Sequence, residues 1–303
     1  AESATELFLR PETAQGIFLN YLNVQKTGRM KIPFGIAQIG KAFRNEITTG
    51  NFIFRTREFE QMEMEFFCHP NDTARFLDYW SKERLKWFTS LGINQEKLRL
   101  RAHGDDELAH YSSACYDVEY LFDFGWSELE GIADRGTYDL DKHAEFSGKK
   151  MTYFDQPNNT HLVPAVVEAS AGVDRTVLTV LADAYEEEEI EGEKRSVLHL
   201  SPRIAPTTVA VFPLMKKEGM PDIAHRIVDD LHTEFSTFYD EAGSIGRRYR
   251  RQDEAGTPFA VTVDHDTLKD QTVTLRDRDT MKQDRVSIDQ LHTVIHNSIA
   301  SMQ

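Results

Sequence analysis

The sequence predicts an α+β protein in which an antiparallel sheet comes first and an α/β domain follows. Three observations support this prediction. The 303 residues suit about two domains, at roughly 150 residues each. Residues 41–67 are predicted to form two strands joined by a loop. The last third alternates apolar strands with helical segments, which is typical of an α/β domain with a mostly parallel sheet.

The first helix and strand pair are predicted near the start of the chain. A helix is expected over Thr13–Tyr21, opening near Pro11. Strands are expected at Phe43–Glu46 and Glu58–Phe67, because the turn-forming residues Ile47–Asn51 separate them. Together these segments predict a strand–loop–strand hairpin.

The second strand of this hairpin has an unusual face. Alternation places Phe59, Gln61, Glu63 and Glu65 on the same side. Carboxylates beside an aromatic ring could line a cavity that binds a cation or an ammonium group. The alternative is an ordinary strand with one wet face, which is common in antiparallel sheets.

The remaining elements follow from caps, alternation and proline positions. Asn71 or Asp72 is expected to cap a helix that buries Phe76, Tyr79, Trp80, Trp87 and Phe88. A strand at Val163–Val167 and a helix at Val177–Tyr185 should follow. The last third is predicted as strand Thr207–Leu214, helix Pro221–Ala242, strands Ile245–Arg251, Phe259–Val263 and Gln271–Arg276, and helix Ser287–Ile299.

Composition excludes several classes of protein. Hydrophobic residues make up 40% and charged residues 28%, which is not the profile of a disordered chain. The two cysteines, Cys68 and Cys115, are too few for a disulfide scaffold or a four-thiolate metal site. No apolar run approaches the ~20 residues of a membrane span, and no signal peptide is recognised. We therefore expect a cytoplasmic protein with no membrane partner.

The charge is acidic but unevenly spread. Residues 1–200 hold 22 basic and 34 acidic residues, whereas residues 201–303 hold 13 and 16. Phosphate binding favours Lys and Arg, so the acidic balance alone argues against nucleic acid. The dense basic run Arg247–Arg251 lies in the near-neutral part, which is the predicted RNA surface. A solvated basic edge strand is the alternative interpretation.

Two segments are candidate phosphate sites. Gly35–Ala42 nearly matches the P-loop pattern, but Ala42 lacks the hydroxyl that ligates Mg²⁺, so that interpretation is rejected. Arg44, Arg55 and Arg57 form a better system, because the hairpin could bring Arg44 and one returning arginine to the same polyphosphate. Surface arginines that balance nearby glutamates are an equally good interpretation.

A zinc site is not predicted. Five histidines show no spacing typical of metal ligands, either with each other or with the two cysteines. They are His69, His103, His110, His143 and His161. Cys68 and Cys115 are expected to be small buried residues rather than activated thiolates.

Four segments carry a family resemblance: Arg10–Phe18, Phe43–Glu63, Trp126–Arg135 and Glu168–Arg175. Together they resemble a class II aminoacyl-tRNA synthetase, and most closely a glycyl-tRNA synthetase of the homodimeric type. The first is similar to the amino-acid-pocket loop of that family, the second to motif 2 and the last to motif 3. From Leu198 onward the chain resembles the class IIa anticodon-binding domain.

The resemblance implies an ATP site on motifs 2 and 3. Arg44 is similar to the arginine that holds the α-phosphate, and Arg55 and Arg175 to the arginines on the γ-phosphate. These three are the expected catalytic residues. The implied ATP set is Arg44, Asn45, Glu46, Phe54, Arg55, Thr56, Arg57, Glu58, Phe59, Glu128, Leu129, Gly172, Val173, Asp174 and Arg175. Glu128 is the expected Mg²⁺ ligand.

The resemblance also implies a glycine pocket. Its expected members are Glu12, Phe59, Glu60, Gln61, Met62, Glu63, Arg135, Glu168, Ala169, Ser170, Ala171 and Gly172. Glycine offers an ammonium, a carboxylate and no side chain, so its affinity must come from the charged ends. Several carboxylates around the ammonium fit that requirement.

The implied activity is that of a glycine–tRNA ligase. ATP would activate glycine to glycyl-adenylate, and the 3′ end of tRNA(Gly) would accept the glycyl group. A catalytically inactive, synthetase-like nucleic-acid-binding accessory protein is the main alternative, and another amino acid is a further one. Because a degenerate relative is expected to lose the ATP arginines, Arg44, Arg55 and Arg175 favour the enzyme.

The resemblance implies a catalytic domain over residues 1–197 and an anticodon-binding domain over residues 198–303. The acidic run Glu186–Glu193, followed by Pro202 and Pro206, also indicates a boundary there. Nothing before Arg10 resembles motif 1, which supplies a core strand and much of the dimer interface in the family. We therefore expect that N-terminal part to be absent, and a homodimer in the full-length protein. Ala169 stands where the family usually has Pro, a minor departure.

Overall fold

The computed structural model describes residues 7–104, 106–110, 112–190 and 192–301. The chain folds into two compact units. Unit 1 comprises residues up to Thr89 together with Ile93–Thr179, and unit 2 comprises Ser90–Gly92 together with the residues from Val180 onward. The glutamate at position 191 of the acidic run lies outside the described residues.

Unit 1 is built on a six-stranded sheet with helices. Its helices are α1 (Ala14–Thr27), α2 (Thr73–Ser90), α3 (Tyr138–Ser147) and α4 (Val173–Ala184), of which α2 and α4 run into unit 2 at their last residues. Its strands are β1 (Phe34–Phe43), β2 (Glu58–Cys68), β3 (Leu98–Ala102), β4 (Ala114–Phe122), β5 (Gly125–Gly136), β6 (Tyr153–Asp155), β7 (Thr160–Leu162) and β8 (Ala165–Gly172). Strands β6 and β7 form a separate hairpin.

The large sheet is antiparallel throughout. Its order is β1-β2-β8-β5-β4-β3, and each neighbouring pair is antiparallel. Strand β8 therefore lies between β2 and β5, although residues 69–164 separate it from β2 along the chain. The register pairs Glu63 with Ser170 and Glu65 with Glu168. This pairing brings the polar side chains of distant segments onto one face.

An aromatic core supports the start of unit 1. Phe18 and Tyr21 of α1 pack with Phe34 and Phe67 of the first two strands, and all four are buried. The Tyr21 and Phe67 rings lie 4.7 Å apart, a distance at which aromatic pairs add to the gain from burial. The predicted helix over Thr13–Tyr21 is therefore present, and it continues to Thr27.

The predicted hairpin of unit 1 forms, but its first strand lies earlier than expected. Strand β1 covers Phe34–Phe43, so the strand predicted at Phe43–Glu46 is wrong and Arg44 begins the loop. Glycine and alanine at alternate positions of β1 weaken the strand signal in the sequence. Because the Gly35–Ala42 segment is a strand, a P-loop is excluded there.

Two further boundaries in unit 1 differ from expectation. The residues before α2 form a 3₁₀ turn, where the His69 ring accepts a hydrogen bond from the Asn71 amide at 3.2 Å. On α2 Phe88 is buried, but Tyr79 is 50% exposed. Strand β8 runs to Gly172 rather than ending at Val167, because its alternate residues are polar and face a cleft. Helix α4 consequently begins at Val173.

Unit 2 contains the remaining elements. They are β9 (Tyr185–Ile190), β10 (Glu193–Leu198), β11 (Val209–Pro213), α5 (Met220–Leu231), β12 (Thr237–Tyr239), α6 (Ile245–Ala255), β13 (Phe259–Val263), α7 (Thr267–Asp270), β14 (Thr272–Asp277), β15 (Gln283–Ser287) and α8 (Leu291–Ser301). The five-stranded sheet has the order β12-β11-β13-β14-β15. Its first three strands are parallel and its last three antiparallel, so the sheet is mixed rather than mostly parallel.

The strand predicted at Ile245–Arg251 is wrong, because this segment is the start of helix α6. Its buried residues are Arg248, Gln252 and Asp253, whose spacing of four and five residues defines a helical face. The helix ends at Gly256, whose φ of 80° suits a left-handed cap.

The basic run on α6 is not a continuous surface. Arg248 is buried, and its guanidinium donates to the Pro213 carbonyl at 2.6 Å and to the Asp240 carbonyl at 3.2 Å. Arg251 donates to the Asp240 carboxylate. The prediction that Arg247–Arg251 is a strand or loop is therefore wrong, and Arg248, which is buried, cannot be part of an RNA-binding surface.

Two other predictions for unit 2 need correction. The helix predicted over Pro221–Ala242 ends at Leu231, and β12 follows. Strand β15 was not predicted, because Gln283–Ser287 is almost wholly polar and exposed. No helix within the described ranges is long and apolar enough to cross a membrane.

Candidate active site

The loop between β1 and β2 folds back over one end of the sheet. The Arg44 amide donates to the Arg57 carbonyl at 2.9 Å, and Gly50 and Arg55 exchange two backbone hydrogen bonds at 3.2 Å. Near the tip, the Phe54 ring meets Phe122 and Phe124 edge-on, with ring centroids 5.4 and 5.3 Å away. The loop is therefore anchored at its base and at its tip.

A first cleft lies between this loop and the start of α4. Its lining residues come from motif 2, motif 3 and strand β5. They are Arg44, Glu46, Ile53, Phe54, Arg55, Thr56, Phe59, Gln61, Glu128, Leu129, Ser170, Ala171, Gly172, Asp174 and Arg175. All three arginines predicted to contact phosphate line this one cleft.

Arg175 is held in the first cleft by the loop and by β5. Its guanidinium donates to the Glu128 carbonyl at 2.7 Å and to the Phe54 carbonyl at 3.3 Å, and it lies 4.2 Å from the centre of the Phe54 ring. Burial lowers the pKa of Arg175, Glu128 opposes that effect, and the charges of Arg55 and Arg44 lower it further. Three like charges therefore converge where a polyanion would relieve their repulsion.

Arg44 closes the other side of the first cleft. Its guanidinium donates to the Pro11 carbonyl at 3.1 Å and lies 5.3 Å from the centre of the Phe59 ring. Arg57, by contrast, donates to the Glu46 carbonyl at 3.0 Å and does not line the cleft. The expectation that only one returning arginine would join Arg44 therefore agrees with the geometry.

A second cleft adjoins the first. It shares Arg44, Gln61, Glu128 and Ser170 with the first cleft. Its other lining residues are Glu12, Glu63, His103, Glu107, Ala109, Ser112, Cys115, Asp117, Gly131, Ala133 and Glu168. Carboxylates thus dominate the second cleft, whereas the first combines three arginines with the carboxylates of Glu46, Glu128 and Asp174.

Glu63 is fixed at the floor of the second cleft. Its carboxylate accepts hydrogen bonds from the Thr13 backbone amide at 2.9 Å, the Thr13 hydroxyl at 2.5 Å and the Gln61 side-chain amide at 3.1 Å. Gln61 also donates to the Ser170 hydroxyl at 2.7 Å. These contacts tie the loop before α1 to strands β2 and β8.

Glu168 and Glu12 complete the acidic wall. The Arg135 guanidinium donates to Glu168, binds Asp139 through two hydrogen bonds of 2.7 and 2.9 Å, and lies 3.8 Å from Glu12. Burial raises the pKa of Glu168 to about 7, with Arg135 opposing it and Glu63 adding to it. Burial also raises the pKa of Glu12. An incoming ammonium would offset this crowding of negative charge.

Sequence reasoning missed the far wall of the second cleft. The His103 ring is 2.8 Å from the Asp117 carboxylate, and Cys115 brings its sulfur within 4.8 Å of both. Only the β3–β4 register, which pairs Arg101 with Asp117, reveals this grouping. Arg101 donates to Asp117 at 2.9 Å, so this carboxylate already faces a cation. Burial, and then Asp117, raise the pKa of Cys115 to about 12.

Several predicted site residues line neither cleft within the described part of the chain. They are Asn45, Arg57, Glu58, Glu60, Met62, Arg135, Ala169 and Val173. Met62 and Ala169 lie on the opposite face of the sheet, in a groove with Trp80. Glu58 pairs with Lys41 at 3.1 Å, and Arg135 lies behind Glu168.

Comparison with known families gives the class of protein. Residues 1–184 match the tRNA synthetase class II core domain (G, H, P, S and T), and residues 208–298 match an anticodon-binding domain. The chain therefore belongs to the class II aminoacyl-tRNA synthetases. The predicted fold class, an antiparallel class II core followed by an anticodon-binding domain, is confirmed.

Individual relatives narrow the resemblance. The chain is 57% identical over 298 residues to the glycine–tRNA ligase of Caldanaerobacter subterraneus subsp. tengcongensis, covering 98% of this chain and 64% of the relative. It is 55% identical over 299 residues to that of Geobacillus kaustophilus, covering 98% and 65%. The chain spans just under two thirds of the length of these relatives. The resemblance to class II glycyl-tRNA synthetases is thus confirmed.

Proposed function

We propose that this chain carries the catalytic and anticodon-binding parts of a glycine–tRNA ligase. In this proposal ATP and glycine form glycyl-adenylate and pyrophosphate, and the glycyl group is then transferred to the 3′ end of tRNA(Gly). The observation that carries the proposal is the pair of adjoining clefts, one with three arginines and one lined mainly by carboxylates, which share Arg44 and Ser170. The reacting groups would meet at this shared boundary.

The first cleft, with its three arginines, suits the nucleotide. Arg44 is proposed to hold the α-phosphate, and Arg55 and Arg175 the γ-phosphate, because guanidinium groups bind phosphate oxygens through fixed pairs of N–H donors. Phe59 would stack on the adenine. We also propose the other members of the ATP set as ATP-binding residues, including those that do not line the cleft.

Mg²⁺ would fit beside Glu128. This side chain lines both clefts and is 51% exposed, with one carboxylate oxygen 3.6 Å from the Arg175 guanidinium. A partly exposed carboxylate next to a phosphate site is the donor type that Mg²⁺ prefers. When bound, the ion would neutralise phosphate charge. No zinc site is proposed.

The acidic cleft suits the glycine ammonium. Glu12, Glu63 and Glu168 line this cleft, and Ser170 lies where it meets the first cleft. The glycine carboxylate would point toward Arg44 and attack the α-phosphorus, and pyrophosphate would leave toward Arg55 and Arg175. No protein nucleophile is needed, since positioning and charge stabilisation supply the catalysis.

The assembly and location of the protein are part of the same proposal. We propose a homodimer for the full-length protein, following the homodimeric type it resembles, and residues 198–303 as the part that binds the tRNA anticodon. Residues 1–197 would form the catalytic domain. Cys68 and Cys115 form no disulfide in the structure, which suits the reducing cytoplasm.

Amino-acid-dependent exchange of pyrophosphate into ATP tests the activity. Exchange with glycine, and with neither alanine nor serine, is the expected result. Exchange with another amino acid alone would keep the enzyme class and reject glycine. A full absence of exchange would support the inactive accessory protein instead.

The phosphate assignment has its own test. Arg44→Ala should abolish exchange while the circular dichroism spectrum stays that of the wild type. Arg75→Ala is the matched control, because Arg75 also lies near an aromatic ring, 4.4 Å from the centre of Phe76, but outside both clefts. Near-normal exchange in Arg44→Ala would contradict the assignment.

A further inference from the structure

Glu65 lies beneath the acidic cleft without lining it. It is fully buried on β2, two residues after Glu63 and opposite Glu168 on β8. One carboxyl oxygen from each of these three residues lies within 4.8 Å of the others. Neither oxygen of Glu65 has a hydrogen-bond partner within the described structure.

The donors around this cluster are already committed. Glu63 receives three hydrogen bonds from Thr13 and Gln61. Arg135 is shared between Glu168 and Asp139. The charged groups that face Glu65 are thus Glu63 on its own strand, Glu168 on β8, Arg135 on β5 and Asp139 on α3, with Glu12 beside Glu63 and Glu168.

A buried carboxylate without a donor is costly, because it has lost its hydration and gained nothing in return. A protonated carboxyl avoids that cost and can donate its O–H to a neighbouring carboxylate. Burial raises the pKa of Glu65 well above its usual range, and the charge of Glu168 raises it further while Arg135 opposes both. Burial without a donor and the nearby carboxylates therefore favour the neutral form of Glu65 when the cleft holds no cation.

We infer that binding of the glycine ammonium in the acidic cleft expels one proton from the Glu65–Glu168 pair. This inference rests on the proposed function. The ammonium keeps its three protons. The O–H bond of Glu65 breaks, its electron pair stays on the carboxylate, and the proton reaches solvent by way of Glu168, which lines the cleft.

Glu65 acts here as a positioning residue. Before glycine binds, the proton on Glu65 reduces the electrostatic repulsion among the carboxylates of the cluster. Afterwards the new carboxylate adds negative charge behind Glu63 and Glu168. Because linkage is reciprocal, glycine affinity should rise with pH between the pKa of the pair in the complex and its higher pKa in the free protein.

Calorimetry of glycine binding in two buffers of different ionisation enthalpy tests the inference. At neutral pH the heat should depend on the buffer in the direction of proton release, with a value approaching one proton. Glu65→Gln should bind glycine with clearly less release than the wild type, because only Glu168 and Glu12, whose pKa values are also raised, can still lose a proton. Glu130→Gln is the matched control and should release as the wild type does, since Glu130 is also buried and of raised pKa but lies on the opposite face of the sheet.

The outcomes separate the inference from the activity. A protein that binds no glycine would overturn both. Glycine binding with the same heat in both buffers would overturn the inference and leave the activity standing. Release of the same size in Glu65→Gln as in the wild type would reject Glu65 as the source. If that variant does not fold, the wild-type pH dependence decides: affinity that is flat or falls between pH 6 and 8 would contradict the inference.

Discussion

At the scale of single residues, unpaired charge explains most of the chemistry proposed here. Glu63 is satisfied by three donors and Glu65 by none, although two positions separate them on one strand. Arg175 has its charge crowded by Arg44 and Arg55. A binding site of this kind stores unfavourable interactions that its substrates relieve.

The first prediction concerns Glu65 and stability without ligands. An acid whose folded pKa is raised keeps a proton that the unfolded chain has already released, so stability falls as the pH rises above the ordinary glutamate range. Glu65→Gln does not titrate. The melting temperature of Glu65→Gln, relative to that of the wild type, should therefore rise between pH 5 and pH 8. Thermal unfolding at several pH values measures this gain, and a constant difference would show that Glu65 is ionised in the folded protein.

A second prediction separates the shape of Arg175 from its charge. Arg175→Lys keeps the charge but loses the planar group over Phe54 and the hydrogen bonds to two carbonyls. ATP–pyrophosphate exchange should fall by about 10²-fold, the usual cost of removing one charge-stabilising donor. Arg99→Lys, which removes a similar stack 4.1 Å over Trp126 outside the clefts, should stay near the wild type. Equal losses in both variants would point to folding instead.

At the scale of elements, the sequence predicts helices and strands correctly where their buried face is apolar, and it fails where that face is polar. The residues of β2 alternate in part between polar and apolar, those of β13 are mostly apolar, and the sequence predicts both strands. Helix α6 was predicted as a strand because its inward face carries Arg248, Gln252 and Asp253, so hydrophobic periodicity is missing there. Arg248 donates to carbonyls of other segments and Asp253 accepts from the Arg276 guanidinium, and the sequence does not display these tertiary contacts.

Helix α6 supplies the third prediction. Arg248→Ala leaves the Pro213 and Asp240 carbonyls without their donor in a buried position, so the free energy of unfolding of unit 2 should fall by roughly 3 kcal/mol. Arg247 is its exposed neighbour on the same helix, and Arg247→Ala should change stability little. Chemical denaturation followed by circular dichroism compares the two. Equal stabilities would mean that Arg248 is dispensable to the fold.

The candidate site divides in the same way. Arg44, Arg55, Arg175, Glu63 and Glu168 are candidates because contiguous motifs carry them, and all five line the two clefts. His103, Cys115 and Asp117 were missed, since they meet only through the β3–β4 register, and register is a property of pairing rather than of local sequence.

At the scale of the whole molecule, each unit has its own buried core. Aromatic residues of α1, β1 and β2 form that of unit 1, and the strands and helices around β11 and β13 form that of unit 2. The net charge of −15 thus sums over two different parts. In unit 1, Glu12, Glu63 and Glu168 place some of the acidic charge along the second cleft.

Scanning calorimetry supplies the fourth prediction. Two transitions are expected, because two cores can melt separately. Glycine with a non-hydrolysable ATP analogue, each at about a hundred times its dissociation constant, should raise one transition by roughly 10–20 °C. Arg248→Ala should lower the other. A single transition that shifts in both experiments would show that the two units unfold as one.

Strand β8 occupies a central place in its sheet, yet it is the last of the six to be synthesised. Until residues 165–172 leave the ribosome, β1 with β2 and β3 with β4 and β5 can form only two partial sheets. Each has an open inner edge, and such edges pair readily with other chains. The nascent protein therefore passes through a stage in which aggregation competes with insertion of β8. Neither Glu168 nor Ser170 can complete the acidic cleft before that strand arrives, so the site forms last.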